Sequence, residues 1–210
     1  MSLESYACFL WQEQIVQVRT SPPWFVWASG KESPLYVDHR RLLSYPSWRE
    51  WVTEEMARMI QSRAISCKAI VGVATGGIAW AAWIGSLLRL PIGYVRPQVK
   101  SHGLGKQIEG LPSPPGSVLL VEDLLSTGGS LRQAADALLR EGYPIAAIAV
   151  LWSYDAPGQA PFPYPLHALL TFPRALLYWR EAGYLSPEAF SFLSSWHQQG
   201  LQLPLETPLR

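Results

Sequence analysis

The sequence predicts an α/β fold: a mostly parallel central sheet with helices on both faces, plus a small N-terminal flap or hood. Three observations predict it. Short apolar runs bounded by turn signals recur at Ala69–Val73, Ile92–Val95, Val118–Val121 and Ile145–Trp152, the pattern of strands buried on both faces. Two of them, Ala69–Val73 and Val118–Val121, pass through a glycine turn into a segment with apolar residues at helical spacing. A chain of 210 residues, 49% of them apolar, suits one such domain with a sizeable core. We therefore expect a single domain over 1–210, with the hood over about 1–45 and the α/β core over about 46–200.

Taken in order, residues 3–15 place Leu3, Tyr6, Ala7, Leu10 and Trp11 on one side of a first helix. Trp24–Trp27 and Leu35–Val37 read as two short strands that could hairpin over the core as a flap. Pro46 starts a helix to about Arg63, with Ser44 as a candidate cap. Ala69–Val73 is followed by the turn Ala74-Thr75-Gly76-Gly77 and a helix over Ile78–Leu90. Ile92–Val95 is the next strand, and Arg96–Gly110 follows with two internal glycines and no helical pattern. Val118–Val121 then leads into Glu122-Asp123, the turn Ser126-Thr127-Gly128-Gly129-Ser130, and a helix with Leu131, Ala134, Ala135, Leu138 and Leu139 on one face. Beyond the strand Ile145–Trp152, the Pro-rich stretch Asp155–Pro165 is loop, and Ala168–Phe172 is a shorter fifth run. Pro173–Ala182 is helical and closed by Gly183; Ser186-Pro187-Glu188 opens a last helix to about Gln199, and Gly200–Arg210 reads as irregular.

Bulk properties exclude several classes. A formal charge of +1 gives no global basic surface to draw nucleic acid or membrane. Cys8 and Cys67 have no metal-ligand or redox spacing, which suits a reducing cytoplasm. Glu4 and the lack of a basic leader argue against a signal peptide, and Ile78–Leu90 is too short to span a bilayer. Ten Trp and eighteen Pro read as core filling and loop stiffening, with no functional signal of their own.

The chemistry-bearing stretches are the two glycine turns. Each opens a helix, where free N–H groups and the helix dipole favour an anion. The hydroxyls of Ser126, Thr127 and Ser130 add donors to the second turn. Glu122 and Asp123 beside a phosphate cradle make sense if the ligand also presents hydroxyls, as a ribose does, or carries a divalent cation. Two such turns on parallel strands open at the same carboxyl edge, where α/β sheets bind ligands. Arg96, Lys100 and His102 fall in step along the adjacent segment, so an extended chain presents all three on one face.

The run Val121–Ser130 resembles the phosphoribosyl-diphosphate (PRPP) signature of the type I phosphoribosyltransferases. Ser29–Arg40, Gly72–Ile78, Tyr94–Gly110 and Val121–Ser130 together resemble the orotate-specific branch of that family, with Arg96, Lys100, His102-Gly103 and Ile108-Glu109-Gly110 matching its mobile loop. The resemblance implies transfer of phosphoribose from PRPP to orotate, with Lys100, His102, Arg96 and Asp123 as catalytic residues. It implies PRPP contacts from Arg96, Lys100 and His102, from Thr75 and Gly76, from Glu122 and Asp123 to the ribose, and from Leu124, Leu125, Ser126, Thr127, Gly128, Gly129 and Ser130 around the 5′-phosphate. Ser126, Tyr36 and Val37 fall where family members touch orotate. The resemblance further implies Mg²⁺ carried mainly by PRPP, no resident metal site, and a homodimer in which the Arg96–Gly110 loop reaches the partner's site.

The sequence departs from the family at Ala28, Gly76 and Pro97, where many members carry lysines, and Leu151–Asp155 contains no arginine for the orotate carboxylate. Lys31, Arg40, Arg41 and Lys106 are the cations that could compensate. Two alternatives stay open at this level: transfer to another base, uracil or a purine, and a non-catalytic nucleotide sensor.

Overall fold

The computed structural model describes residues 1–27, 29–97, 107–111 and 116–203. In chain order the elements are α1 (Leu3–Gln12), β1 (Val16–Val18), β2 (Phe25–Val26), β3 (Glu32–Ser33), β4 (Leu35–Val37), a 3₁₀ helix (His39–Ser44), α2 (Pro46–Ser62), β5 (Ala69–Val73), α3 (Gly76–Leu88), β6 (Ile92–Val95), β7 (Ile108–Glu109), β8 (Val118–Leu125), α4 (Gly129–Arg140), β9 (Ile145–Ser153), β10 (Leu166–Thr171), α5 (Phe172–Glu181) and α6 (Pro187–Gln198). They fall into two compact units: residues 1–45, 154–160 and 170–210, and residues 46–153 and 161–169.

The second unit is framed by a six-stranded sheet in the order β10-β9-β8-β5-β6-β7. β6, β5, β8 and β9 pair in parallel, and the two-residue β7 is antiparallel to its neighbour β6. Its strands are apolar on both faces because both faces are covered. One core takes the alternate residues Ala69, Val71, Val73, Val118, Leu120, Ile148 and Val150 and closes under Leu131, Ala134, Ala135 and Leu138 of α4. The intervening Ile70, Leu119, Val121 and Ala149 are equally buried and point to the opposite face. α2 and α3 supply the buried Met56, Ile60, Trp80, Ala81 and Ile84.

In the first unit, α1 is opened by a capping box. Ser2 Oγ accepts from the Ser5 N–H, and Ser5 Oγ accepts from the Ser2 N–H. α6 starts at the cap-then-proline signal: Ser186 Oγ accepts the Ala189 N–H at 3.2 Å and Pro187 is the first helical residue. Much of the tryptophan content packs this unit. Trp27, Tyr154, Phe172, Trp179 and Trp196 form a chain of ring contacts with centroids 4.7–6.5 Å apart.

Three expectations are corrected. Phe25–Val26 does not hairpin with Leu35–Val37; it pairs with Glu32–Ser33, while Leu35–Val37 pairs antiparallel with Val16–Val18. Pro34 sits between the two pairings and has no N–H to continue a ladder. Ser44 ends a 3₁₀ helix and does not cap α2. The Val118–Val121 strand continues through the acidic pair to Leu125, because β9 keeps pairing with it as far as Ser153.

Candidate active site

β5 and β8 are direct neighbours in parallel register, with Gly72 opposite Val121. Their following helices, α3 and α4, therefore open on the same carboxyl edge of the sheet. The two glycine turns lie side by side, as the sequence predicts.

The first turn is tight. A Cβ on Gly72 would come within 2.6 Å of the Gly77 carbonyl oxygen, and one on Gly77 would collide with the Val121 carbonyl. These two glycines let the turn fold back on β5 and let α3 start against β8. The Ala74 N–H donates to Val95 O at 2.9 Å, which ties the turn to β6 as well. The Ala74–Thr75 peptide is cis, and Thr75 is exposed at the head of α3 with no side-chain cap bond.

Gly76 faces Asp123. A Cβ at position 76 would collide with the Asp123 carboxylate, so the missing side chain leaves the space that this carboxylate takes at the N-terminus of α3. The sequence marks Gly76 as part of the anion-binding turn and as a position where many family members carry a lysine. The structure shows what stands there instead.

Glu122 is 5% exposed, on β8 one residue before Asp123. Burial, a side-chain hydrogen bond with Asp123 and the Asp123 charge together push its carboxyl up to about 10. Glu122 Oε1 also accepts the Asp123 N–H at 3.1 Å. At neutral pH Glu122 is thus a protonated acid, able to donate as well as accept. The pair is not two equivalent acceptors.

The second turn is open. Gly128 has φ +82° and caps α4, a backbone that suits glycine. A Cβ on Gly129 would meet nothing within 4 Å, and Thr127, Gly129 and Ser130 are exposed. Leu125 is buried, and Leu124 and Ser126 are partly so.

Arg96 stands at the end of β6. Its N–H donates to Gln107 O at 2.9 Å, and Gln107 Nε2 returns a bond to Arg96 O at 2.8 Å. The two residues thus continue the β6–β7 ladder. Gln107 is buried, and its Oε1 accepts from Arg140 of α4 at 3.3 Å. The Arg96 guanidinium lies 3.4 Å from both the Glu109 carboxylate and the Tyr94 hydroxyl. Its charge is therefore neutralised in part by Glu109, a partner the one-face reading missed. The expected positions of Lys100, His102 and Lys106 lie outside the described residues, as does Ala28. Lys31, Arg40 and Arg41, in the first unit, bond to Gly200 O, to Asp38 and to Gln14 O respectively. In the same unit Tyr36 stacks on Phe25 with centroids 5.6 Å apart, and Val37 is buried.

The comparisons agree with this geometry. Residues 50–165 match the phosphoribosyl transferase domain model. An orotate phosphoribosyltransferase of Lactiplantibacillus plantarum is 41% identical over 187 residues, covering 87% of this chain and 88% of that one. The chain belongs to the orotate phosphoribosyltransferase family. A second orotate phosphoribosyltransferase, from Enterococcus faecalis, is 39% identical across 82% of this chain and 84% of its own. The crystal structure of orotate phosphoribosyltransferase from Aeropyrum pernix superposes with a TM-score of 0.71 at 31% identity, covering 86% of this chain and 99% of that one. The type I phosphoribosyltransferase fold that the sequence suggests is the fold observed. Four further residues organise this family member's site: Gly72 and Gly77 by allowing backbone approach, and Gln107 and Arg140 by fixing the base of the 96–107 segment. The glycines were legible as turn formers; nothing in the sequence marks the Gln107–Arg140 pair.

Proposed function

We propose that the chain transfers the 5-phosphoribosyl group from PRPP to orotate, giving orotidine 5′-monophosphate and diphosphate, a step of pyrimidine (UMP) biosynthesis. One observation carries the reading: two helix-opening glycine turns on adjacent parallel strands, with the Glu122–Asp123 pair at the same edge. A sugar with phosphate at one end and diphosphate at the other suits two neighbouring anion cradles.

In this reading the Ser126–Ser130 turn holds the 5′-phosphate, with Leu124 and Leu125 leading into it, and the Thr75–Gly77 turn faces the diphosphate. Glu122 and Asp123 hold the ribose hydroxyls, with protonated Glu122 able to serve as donor. Breaking the C1′–diphosphate bond builds charge on the leaving group. In this reading Arg96, Lys100 and the Thr75–Gly77 amides stabilise it, and such donors, when preorganised, are usually the largest catalytic contribution. His102 donates to the diphosphate, and Ser126, Tyr36 and Val37 contact orotate.

The residues fit an Mg²⁺ ion carried by the substrate. With the Glu122 carboxyl pushed up to about 10, Asp123 is the carboxylate of the pair left to meet an ion. When bound, the ion offsets diphosphate charge. We further propose a homodimer in which the 96–110 loop of one protomer reaches the partner's site. A cytoplasmic setting fits the free thiols of Cys8 and Cys67.

The test is the fall in orotate absorbance on adding PRPP and Mg²⁺, with uracil, adenine and hypoxanthine as competing bases. We expect orotate to be consumed and the others not. The absence of an arginine from Leu151–Asp155 favours another base as the second reading. Consumption of uracil or a purine with orotate untouched would establish that reading and overturn ours.

A further inference from the structure

At the opposite edge of the sheet, the amino-terminal ends of β9 and β10 border a second concavity of about 560 Å³. Its volume falls in the range of small-molecule sites. Ala64, Ile65, Ala146, Ala147 and Pro165 give it an apolar floor, and Arg63, Ser66 and His167 bring polar groups to it. Arg63 follows the last turn of α2 and is exposed; His167 lies on β10 and is half-buried. Among the described residues neither makes an ion pair.

Two further observations mark the place. The β8–β9 register slips here: Val118 pairs with Ile145 but Leu119 pairs with Ala147, so Ala146 is left out of that ladder. A bulge re-aims the strand where it occurs and is over-represented next to binding sites. Burial lowers the proton affinity of His167, and the Arg63 charge lowers it further, so the two side chains sense each other across the cleft.

We propose that this cleft is a second ligand site, which binds a small phosphomonoester with its phosphate between Arg63 and His167 and its apolar or ring portion on the Ala64–Ile65–Ala146–Pro165 floor. Arginine supplies a planar fork for phosphate oxygens, and the imidazole a further N–H. An anion set between them offsets the Arg63 charge, which adds to burial in lowering the proton affinity of His167. The site lies about four to five strand residues from the acidic pair, roughly 15 Å at 3.3 Å per residue, and it shares no residue with the proposed transferase site. It stands or falls independently of that reading.

The experiment is proton NMR of the His167 ring in the full chain, assigned with His167→Gln, during titration with inorganic phosphate and with ribose 5-phosphate. We expect the His167 resonance to move saturably with both ligands, its titration midpoint rising by about one pH unit, as for a group gaining an opposite charge nearby. Ribose 5-phosphate should saturate at the lower concentration, because only it covers the apolar floor. In Arg63→Gln, an exposed position, the response should be lost while the transferase rate is unchanged. A His167 resonance that does not move, or that moves equally in Arg63→Gln, overturns the proposal. Equal affinities for the two ligands would overturn the part assigned to the apolar floor.

Discussion

The two glycine turns look alike in sequence and differ in the fold. In the first, between β5 and α3, Gly72 and Gly77 are spent on backbone packing, and Gly76 makes room for the Asp123 carboxylate. In the second, between β8 and α4, Gly128 supplies a positive φ, Gly129 faces open space, and Thr127 and Ser130 are exposed. The lesson is that a small-residue turn at a helix N-terminus can be small for two physical reasons. One is to let backbones meet; the other is to supply a positive φ and leave the helix N-terminus open.

The largest expected effect falls on the packed turn. Gly77→Ala forces a Cβ against the Val121 carbonyl, so chemical denaturation should show a loss of about 3 kcal/mol, the upper part of the usual overpacking range. A variant as stable as the parent would break the packing half of the comparison. Next comes the pair at the shared edge. Asp123→Asn should weaken PRPP binding by about tenfold, about 1.4 kcal/mol, read by calorimetry; equal affinity would remove Asp123 from the sugar site.

Glu122 gives a pH-dependent effect. Its folded value near 10 lies above the ordinary carboxyl value of 4.5. Between those limits the folded chain holds a proton that the unfolded chain releases, so this group's contribution to stability falls as pH rises. Glu122→Gln keeps the neutral shape and removes the proton linkage. Thermal melts from pH 5 to 9 should show a flatter decline for the variant, and parallel curves would mean that Glu122 is ionised in the folded chain. The smallest effect is on the open turn: Gly129→Ala should change stability by no more than about 0.5 kcal/mol, as for an unencumbered surface change.

The parallel core was legible because its strands carry unbroken apolar runs and β5 and β8 each meet a helix through glycines. Ile92–Val95 falls on β6 without adjustment. The short pairings were not legible: β1, β3 and β7 have two or three residues each, too few to show a period, and only their partners define them. At the site, the order of strand, turn and helix, repeated on β5 and β8, announced two glycine turns on one carboxyl edge. What sequence could not carry was proximity between distant positions. Examples are Asp123 against Gly76, Arg96 against Glu109, and Arg140 reaching Gln107. The protonated state of Glu122 was hidden for the same reason, since it comes from burial and from a neighbour's charge rather than from residue type.

The most direct test of the two-cradle account is calorimetry of diphosphate and of ribose 5-phosphate, each alone, on the parent chain and on Gly129→Ala. The account predicts that ribose 5-phosphate loses about tenfold in affinity at the edge that PRPP competes for, because the new Cβ enters the open turn, while diphosphate is unaffected at the packed turn. Equal losses for both ligands, or a loss confined to diphosphate, would contradict the division of labour between the two turns.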